Sequence, residues 1–159
     1  MSHAKLLDCA RRQIEFARTY TLSLLEAVDE SLWFTCPDGC PSHIAWQVGH
    51  LATTEYFLTV YRVRGRQRSD NDVIPKDFLR RFAKGTSAVA DPDAYPTPEQ
   101  LREVLHAVHE LALRELPEFT QEQLDESAVE PYAGYPTKLG SLFFCAQHEM
   151  LHAGQIGLI

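Results

Sequence analysis

The apolar positions of this chain fall into four stretches with helical spacing. From about Lys5 to Asp29, Leu7, Ala10, Ile14, Ala17, Thr21, Leu24 and Val28 recur at intervals of three and four, the repeat that lines one face of a helix. Arg11, Arg12, Glu15, Arg18 and Glu26 fall off that seam. Pro37, Gly39 and Pro41 then break the chain. A second helix is predicted from a Ser42 cap to about Arg64, where Gly65 stops it. One of its faces carries Ile44, Val48, Leu51 and Leu58, the other Trp46, His50, Phe57 and Tyr61. So wide an apolar arc predicts packing from two sides. Thr97-Pro98-Glu99-Gln100 has the form of a capping box with proline at the first helical position. It opens a third helix to about Leu116, with Leu101, Val104, Leu105, Val108, Leu111 and Ala112 facing inward and Pro117 ending it. After Gly134 and Pro136, Thr137 is placed to cap a last helix, about Lys138 to Ile159.

No segment reads as a strand, so the fold class is all-α. Between the second and third helices lies an irregular stretch, residues 65–97, with one short helical piece near Pro75 to Lys84. An antiparallel neighbour needs only a short loop, whereas a connection this long is enough to run back along a helix of roughly 33 Å. The third helix then starts parallel to the second. The pattern predicts a four-helix bundle with one long crossover, occupying residues 1–159 as a single domain.

Charge narrows the partners. Twenty-two acidic against fifteen basic residues give −7 with histidine neutral, which repels phosphate backbones and anionic lipid. There is no apolar run of about 18 residues and no charged-then-apolar leader. The expectation is a cytoplasmic protein without nucleic-acid or membrane partners. Cys9, Cys36, Cys40 and Cys145 read as reduced thiols. Cys36, Cys40 and His43 suggest a zinc knot, but lack a fourth ligand and the usual spacing; the plainer reading is a turn with two incidental thiols.

The histidines carry the chemistry. His43 is expected to be exposed in the first turn of the second helix, and His106 and His109 to lie on the wet side of the third. His148 and His152 differ, because they stand one turn apart on a helix that is apolar nearly all round. Two buried imidazoles need partners, and a shared metal satisfies both at a common ligand spacing. His148-Glu149-Met150-Leu151-His152 is also the HExxH of zinc proteases. The metzincin extension requires glycine and histidine where Gln155 and Leu158 stand, and too few residues follow for a downstream glutamate. A third ligand must come from upstream. His50 is the candidate: counted along antiparallel helices, it falls at the level of His152. Three imidazoles with open positions suit zinc, nickel, iron or copper in a catalytic type of site.

Gly49-His50-Leu51-Ala52 and the segment from His148 to Ile156 (HEMLHAGQI) resemble the two signature segments of the DinB-like (YfiT-type) superfamily, and Ser42-His43-Ile44-Ala45-Trp46 fits the approach to the first. The resemblance covers nearly the whole chain. It implies an up-down-down-up bundle with a divalent metal, zinc or nickel foremost, held by His50, His148 and His152. It also implies a homodimer, which the wide apolar arcs of the second and last helices suggest as well, and an activity such as thiol S-transfer or hydrolysis on a small molecule. A low-molecular-weight thiol is then one expected partner. Members usually continue past the second motif, so a shortened last helix is one expectation here. Glu149 is open as a base or as a partner of the ligands, and Gln155 as a ligand contact or an orienter of His152. The alternative function is a metal-binding or sensor bundle without turnover.

Overall fold

The computed structural model describes residues 2–40, 42–132 and 135–159. Four long helices dominate it. α1 is His3–Glu26. α2 begins as Ile44–Glu55, continues through a π-helical stretch at Tyr56–Tyr61 and closes with the turn Arg62–Arg64. The short helices α3 (Asp70–Val73) and α4 (Lys76–Arg81) lie in the crossover. α5 is Pro98–Glu115, α6 the short Gln121–Asp125, and α7 Lys138–Ile156. The chain is predominantly helical, as its periodicity predicts.

Local chemistry sets the helix ends. At α5 the box closes from both sides: Thr97 Oγ1 accepts from the Gln100 amide, and the Gln100 side chain accepts from the Thr97 amide. Thr137 caps α7 through the Gly140 amide. Gly65, at φ 81°, ends α2 in the left-handed region that other residues avoid. The cap of α2 is different from the one expected. His43 holds it, with Nδ1 accepting from the Trp46 amide at 3.1 Å. Its Nε2 lies 3.0 Å from the Val89 carbonyl, and its ring meets Phe34 and Tyr95 edge-on. His43 is therefore buried, not exposed, and both of its nitrogens are committed. That leaves nothing for a knot with Cys36 and Cys40, which are free. Pro41 and Gly134, read as breakers, lie outside the described residues.

The sequence reading also missed a hairpin. β1 (Ser127–Tyr132) pairs antiparallel with β2 (Tyr135–Thr137), with an irregular register between Ser127↔Thr137 and Tyr132↔Tyr135. Pro131 and Pro136 argue against central strands, but in a two-stranded ribbon every strand is an edge, where proline is tolerated.

α1 packs on α7, α2 on α5, and α2 also touches α7. The apolar core forms two clusters. One gathers Leu25, Trp33, Val48, Leu51, Tyr56, Phe82, Leu105 and Ile156; the other Ala10, Ile14, Leu58, Leu116, Leu124, Leu142 and Cys145. Along α1 and α7 the change from one to the other falls at Arg18 and Glu149. Arg18, off the predicted seam, is only 2% exposed. Its guanidinium donates to Glu149 at 2.7 Å, to Glu55 at 2.8 Å and to the Leu105 carbonyl at 2.8 Å. His109 completes the group, with Nδ1 2.7 Å from Glu55 Oε1. It is buried, contrary to the expected wet side, while His106 is exposed as expected. One arginine thus ties the four long helices together.

Candidate metal centre

His50 on α2 and His148 and His152 on α7 come together, with one ligand atom from each lying within 4.8 Å of the others. His50 and His152 are buried and His148 is half-buried. The Nε2 atoms of His148 and His152 are 3.2 Å apart. Two ring nitrogens bound to one tetrahedral zinc at its usual bond length stand about 3.4 Å apart. The α7 pair already has that spacing, and His50 needs only to draw in.

The surroundings fix which nitrogen faces the cluster. His50 Nδ1 donates to the Phe82 carbonyl at 2.8 Å, since a carbonyl only accepts. His152 Nδ1 is likewise hydrogen-bonded to Gln47 Oε1, and Gln47 Nε2 donates to Ser42 Oγ. Both rings therefore turn an Nε2 lone pair toward the shared point, the tautomer a metal requires. The Thr54 hydroxyl makes only a long contact, 3.4 Å, to His50 Nε2. Trp46 stacks on the His50 ring at 4.7 Å and 10°, holding its plane. Donor type, tautomer and spacing all fit a bound cation.

Electrostatics agree. Burial, then repulsion from His152 and His50, pushes His148 down to about 3; burial, then His50, pushes His152 to about 4, with Gln155 offsetting part of the effect. Burial lowers His50 as well, against its bond to Phe82. The rings are thus neutral and ready to ligate at pH 7.

Gly49 explains how Phe82 comes so near. A Cβ there would stand 2.4 Å from the Phe82 ring. In an ordinary helix Gly→Ala gains about 1 kcal/mol, but this overlap costs about 1–3 kcal/mol and shifts the carbonyl that orients His50. Gly49→Ala is expected to lower both the urea midpoint and metal affinity. A variant more stable than wild type would contradict this. Gln47→Leu is expected to weaken metal affinity about 10–100-fold with unchanged helicity, read by calorimetry.

The three histidines open onto a cavity of about 690 Å³. Trp46, Phe57, Leu58 and Phe144 supply apolar walls, and Arg62 and Lys84 supply charge. Thr53 also lines it, and its buried hydroxyl has no partner among the described residues. A larger depression near Arg66, Arg68 and Lys76 holds none of these histidines.

Sequence reasoning found the triad but not its supports. Gln47 was legible in principle, as a polar residue in an apolar helix one turn before His50. The Phe82 carbonyl and Lys84 come from the crossover and carry no local signal. Glu149 is 2% exposed and bound to Arg18, so its carboxylate is committed away from the histidines. Gln155 is exposed, and Gln47 rather than Gln155 bonds His152 Nδ1.

Fold and cluster together define a helical protein with a three-histidine centre that can hold a metal ion. The family described as the DinB superfamily matches residues 13–156, and the chain belongs to it. No curated protein compared with the chain matches it.

Proposed function

We propose that this protein is a divalent-metal-dependent enzyme acting on a small molecule, by thiol S-transfer or by hydrolysis. The observation that carries the reading is the set of three imidazoles converging on the wall of a cavity, two of them, His50 and His152, held in ligating tautomers. His50, His148 and His152 are the proposed ligands, and zinc or nickel the proposed metal, with iron and copper also suited to imidazole. When bound, the cation polarises a substrate or activates water or a thiol. The chain's own part is to position and to shield. Phe82 and Gln47 aim the ligands, Trp46 holds His50, and the aromatic walls exclude water. No base role is assigned to Glu149, because Arg18 holds its carboxylate.

The test is elemental analysis of untagged protein, followed by turnover on thiol and ester panels with each metal restored. About one metal per chain is expected, with turnover that chelation removes. Stoichiometric metal without turnover would favour the sensor alternative, and no metal would sink both.

The pH dependence has a definite sign. The histidines titrate below their ordinary 6.5 when folded, so the unfolded chain binds more protons between those values. The metal-free protein is expected to lose stability as pH falls from 6.5 toward 4, by about 1.4 kcal/mol per pH unit for each extra proton. Metal uptake is expected to stay flat from about pH 8 to 6 and to fall only below about pH 5, lower than an unperturbed imidazole would give. Urea titrations and calorimetry check both; uptake halved already at about pH 6.5 would contradict the buried geometry.

The up-down-down-up arrangement of residues 1–159 as one domain belongs to the same reading. It is supported by contacts at matching levels: Glu55 with His109 and Arg64 with Glu115 for α2 beside α5, and Lys138 with the Val63 carbonyl for α2 against α7. A homodimer is proposed too. Support comes from Phe16, Met150 and Leu151, exposed on α1 and α7, rather than from α2, whose apolar arc is spent inside. No helix among the described residues is long and apolar enough to cross a membrane, which accords with the proposed cytoplasmic location.

A further inference from the structure

The threonines of the long helices differ in where their hydroxyls turn. Thr19, Thr21 and Thr59 each donate to the backbone carbonyl four residues back, the usual local partner of a helical threonine. Thr54 meets a side chain instead. Its Oγ1 lies 3.4 Å from Nε2 of His50, the residue four back. Because His50 Nδ1 carries the proton given to the Phe82 carbonyl, Nε2 is an acceptor and the hydroxyl is the donor. At 3.4 Å that bond is long, so most of the hydroxyl's donor capacity is unspent. The same Nε2 is the nitrogen that His50 turns to the shared point. Once its lone pair is given to a cation, the Thr54 proton must turn to another acceptor. Thr54 is half-buried and lines the same cavity as the three histidines, so that acceptor can enter from the cavity. Two donor atoms of one tetrahedral zinc stand about 3.4 Å apart. The hydroxyl is that far from a proposed ligating nitrogen, and so within reach of an atom at an open position on the cavity side.

We infer that Thr54 is a specificity-determining residue, whose hydroxyl hydrogen-bonds the atom a small molecule presents to the metal and favours oxygen over sulfur. A hydroxyl donates well to oxygen, best where the oxygen is charged, and only weakly to sulfur. Of the two chemistries proposed above, this favours hydrolysis over thiol S-transfer. The inference deepens the metalloenzyme reading and rests on it for the ligands.

The probes are acetohydroxamate, which binds a metal through oxygen, and 2-mercaptoethanol, which binds through sulfur. Each is titrated by calorimetry into zinc-loaded protein whose metal content has been measured. Thr54→Val exchanges the hydroxyl for a methyl at similar volume. It is expected to weaken acetohydroxamate about tenfold or more, the difference that one hydrogen bond to a charged group makes. Its affinity for 2-mercaptoethanol is expected to change less than about threefold. Thr54→Ala is expected to act the same way, which guards against a misfit of valine. Thr54→Ser, which keeps the hydroxyl, is expected to retain most of the acetohydroxamate affinity. Helicity and stoichiometric zinc are expected in all three. A second readout needs no metal. Ring-nitrogen magnetic resonance of the metal-free protein is expected to show the His50 Nε2 signal move in Thr54→Val and stay near its place in Thr54→Ser. Zinc-loaded wild type without saturable acetohydroxamate binding would overturn the inference. So would full acetohydroxamate affinity in Thr54→Val and Thr54→Ala, equal losses for both probes, or an unmoved His50 signal. The two readings fail distinguishably. A wild-type chain that takes no zinc sinks the metalloenzyme and this inference with it, whereas zinc retained with an undiminished oxygen preference in Thr54→Val sinks this inference alone.

Discussion

Replacing His50, His148 or His152 by alanine is expected to cost at least about 100-fold in metal affinity, since disturbing a partner of the ligands alone costs about 10–100-fold. His106→Ala is expected to change nothing, because that ring is exposed on α5. His109→Ala is expected to alter stability but leave the metal in place, because its Nδ1 is committed to Glu55. The decisive variant is His50→Ala. The α7 pair is local, one turn apart, whereas His50 joins it only through the packing of α2 against α7. Competition titration with a chelator of known affinity reads all five. Stoichiometric, tight metal in His50→Ala would show that the cross-helix ligand is wrong.

The largest effect on stability is expected at Arg18. It sits 2% exposed between Glu55 and Glu149. Arg18→Met fills similar space but leaves carboxylates buried without their cation, a loss of about 3–5 kcal/mol. That is a large part of a domain's net stability. The pH dependence separates this from simple packing loss. In the wild type, burial pushes the Glu55 carboxyl up, but Arg18 and then His109 outweigh it and hold the group below its ordinary 4.5. Its contribution is complete above that value and is lost as pH falls through the lower folded one. In Arg18→Met the strongest counter-charge is gone and burial prevails, so the stability deficit relative to wild type is expected to shrink as pH drops from about 8 toward 5. Urea denaturation at several pH values measures it. A variant as stable as wild type, or one with the wild-type pH slope, would contradict the network's role.

The helices were legible because their causes are local. The three-and-four spacing from Leu7 to Val28, the Thr97 box and the Thr137 cap act within a turn or two of chain. The His148–His152 pair was legible for the same reason, and His50 by counting turns. Three kinds of feature were not. Arg18 and His109 look solvated in sequence, because a charged residue off a seam is indistinguishable from one whose partners arrive from other helices. Only the packing of α1, α2, α5 and α7 supplies Glu55, Glu149 and the Leu105 carbonyl. The second case is a re-phasing. A π-helical stretch has no composition of its own, so the placing of Arg62 rather than the exposed Tyr61 along the cavity is set by tertiary packing. The third is the crossover, whose Phe82 carbonyl and Lys84 reach the histidines from about thirty residues away along the chain. Sequence by itself determined the long helices and the candidate ligand types, because those depend on neighbours in the chain. Tertiary structure alone decided which nitrogens of His50 and His152 face the shared point and which residues line the cavity, because those depend on neighbours in three dimensions.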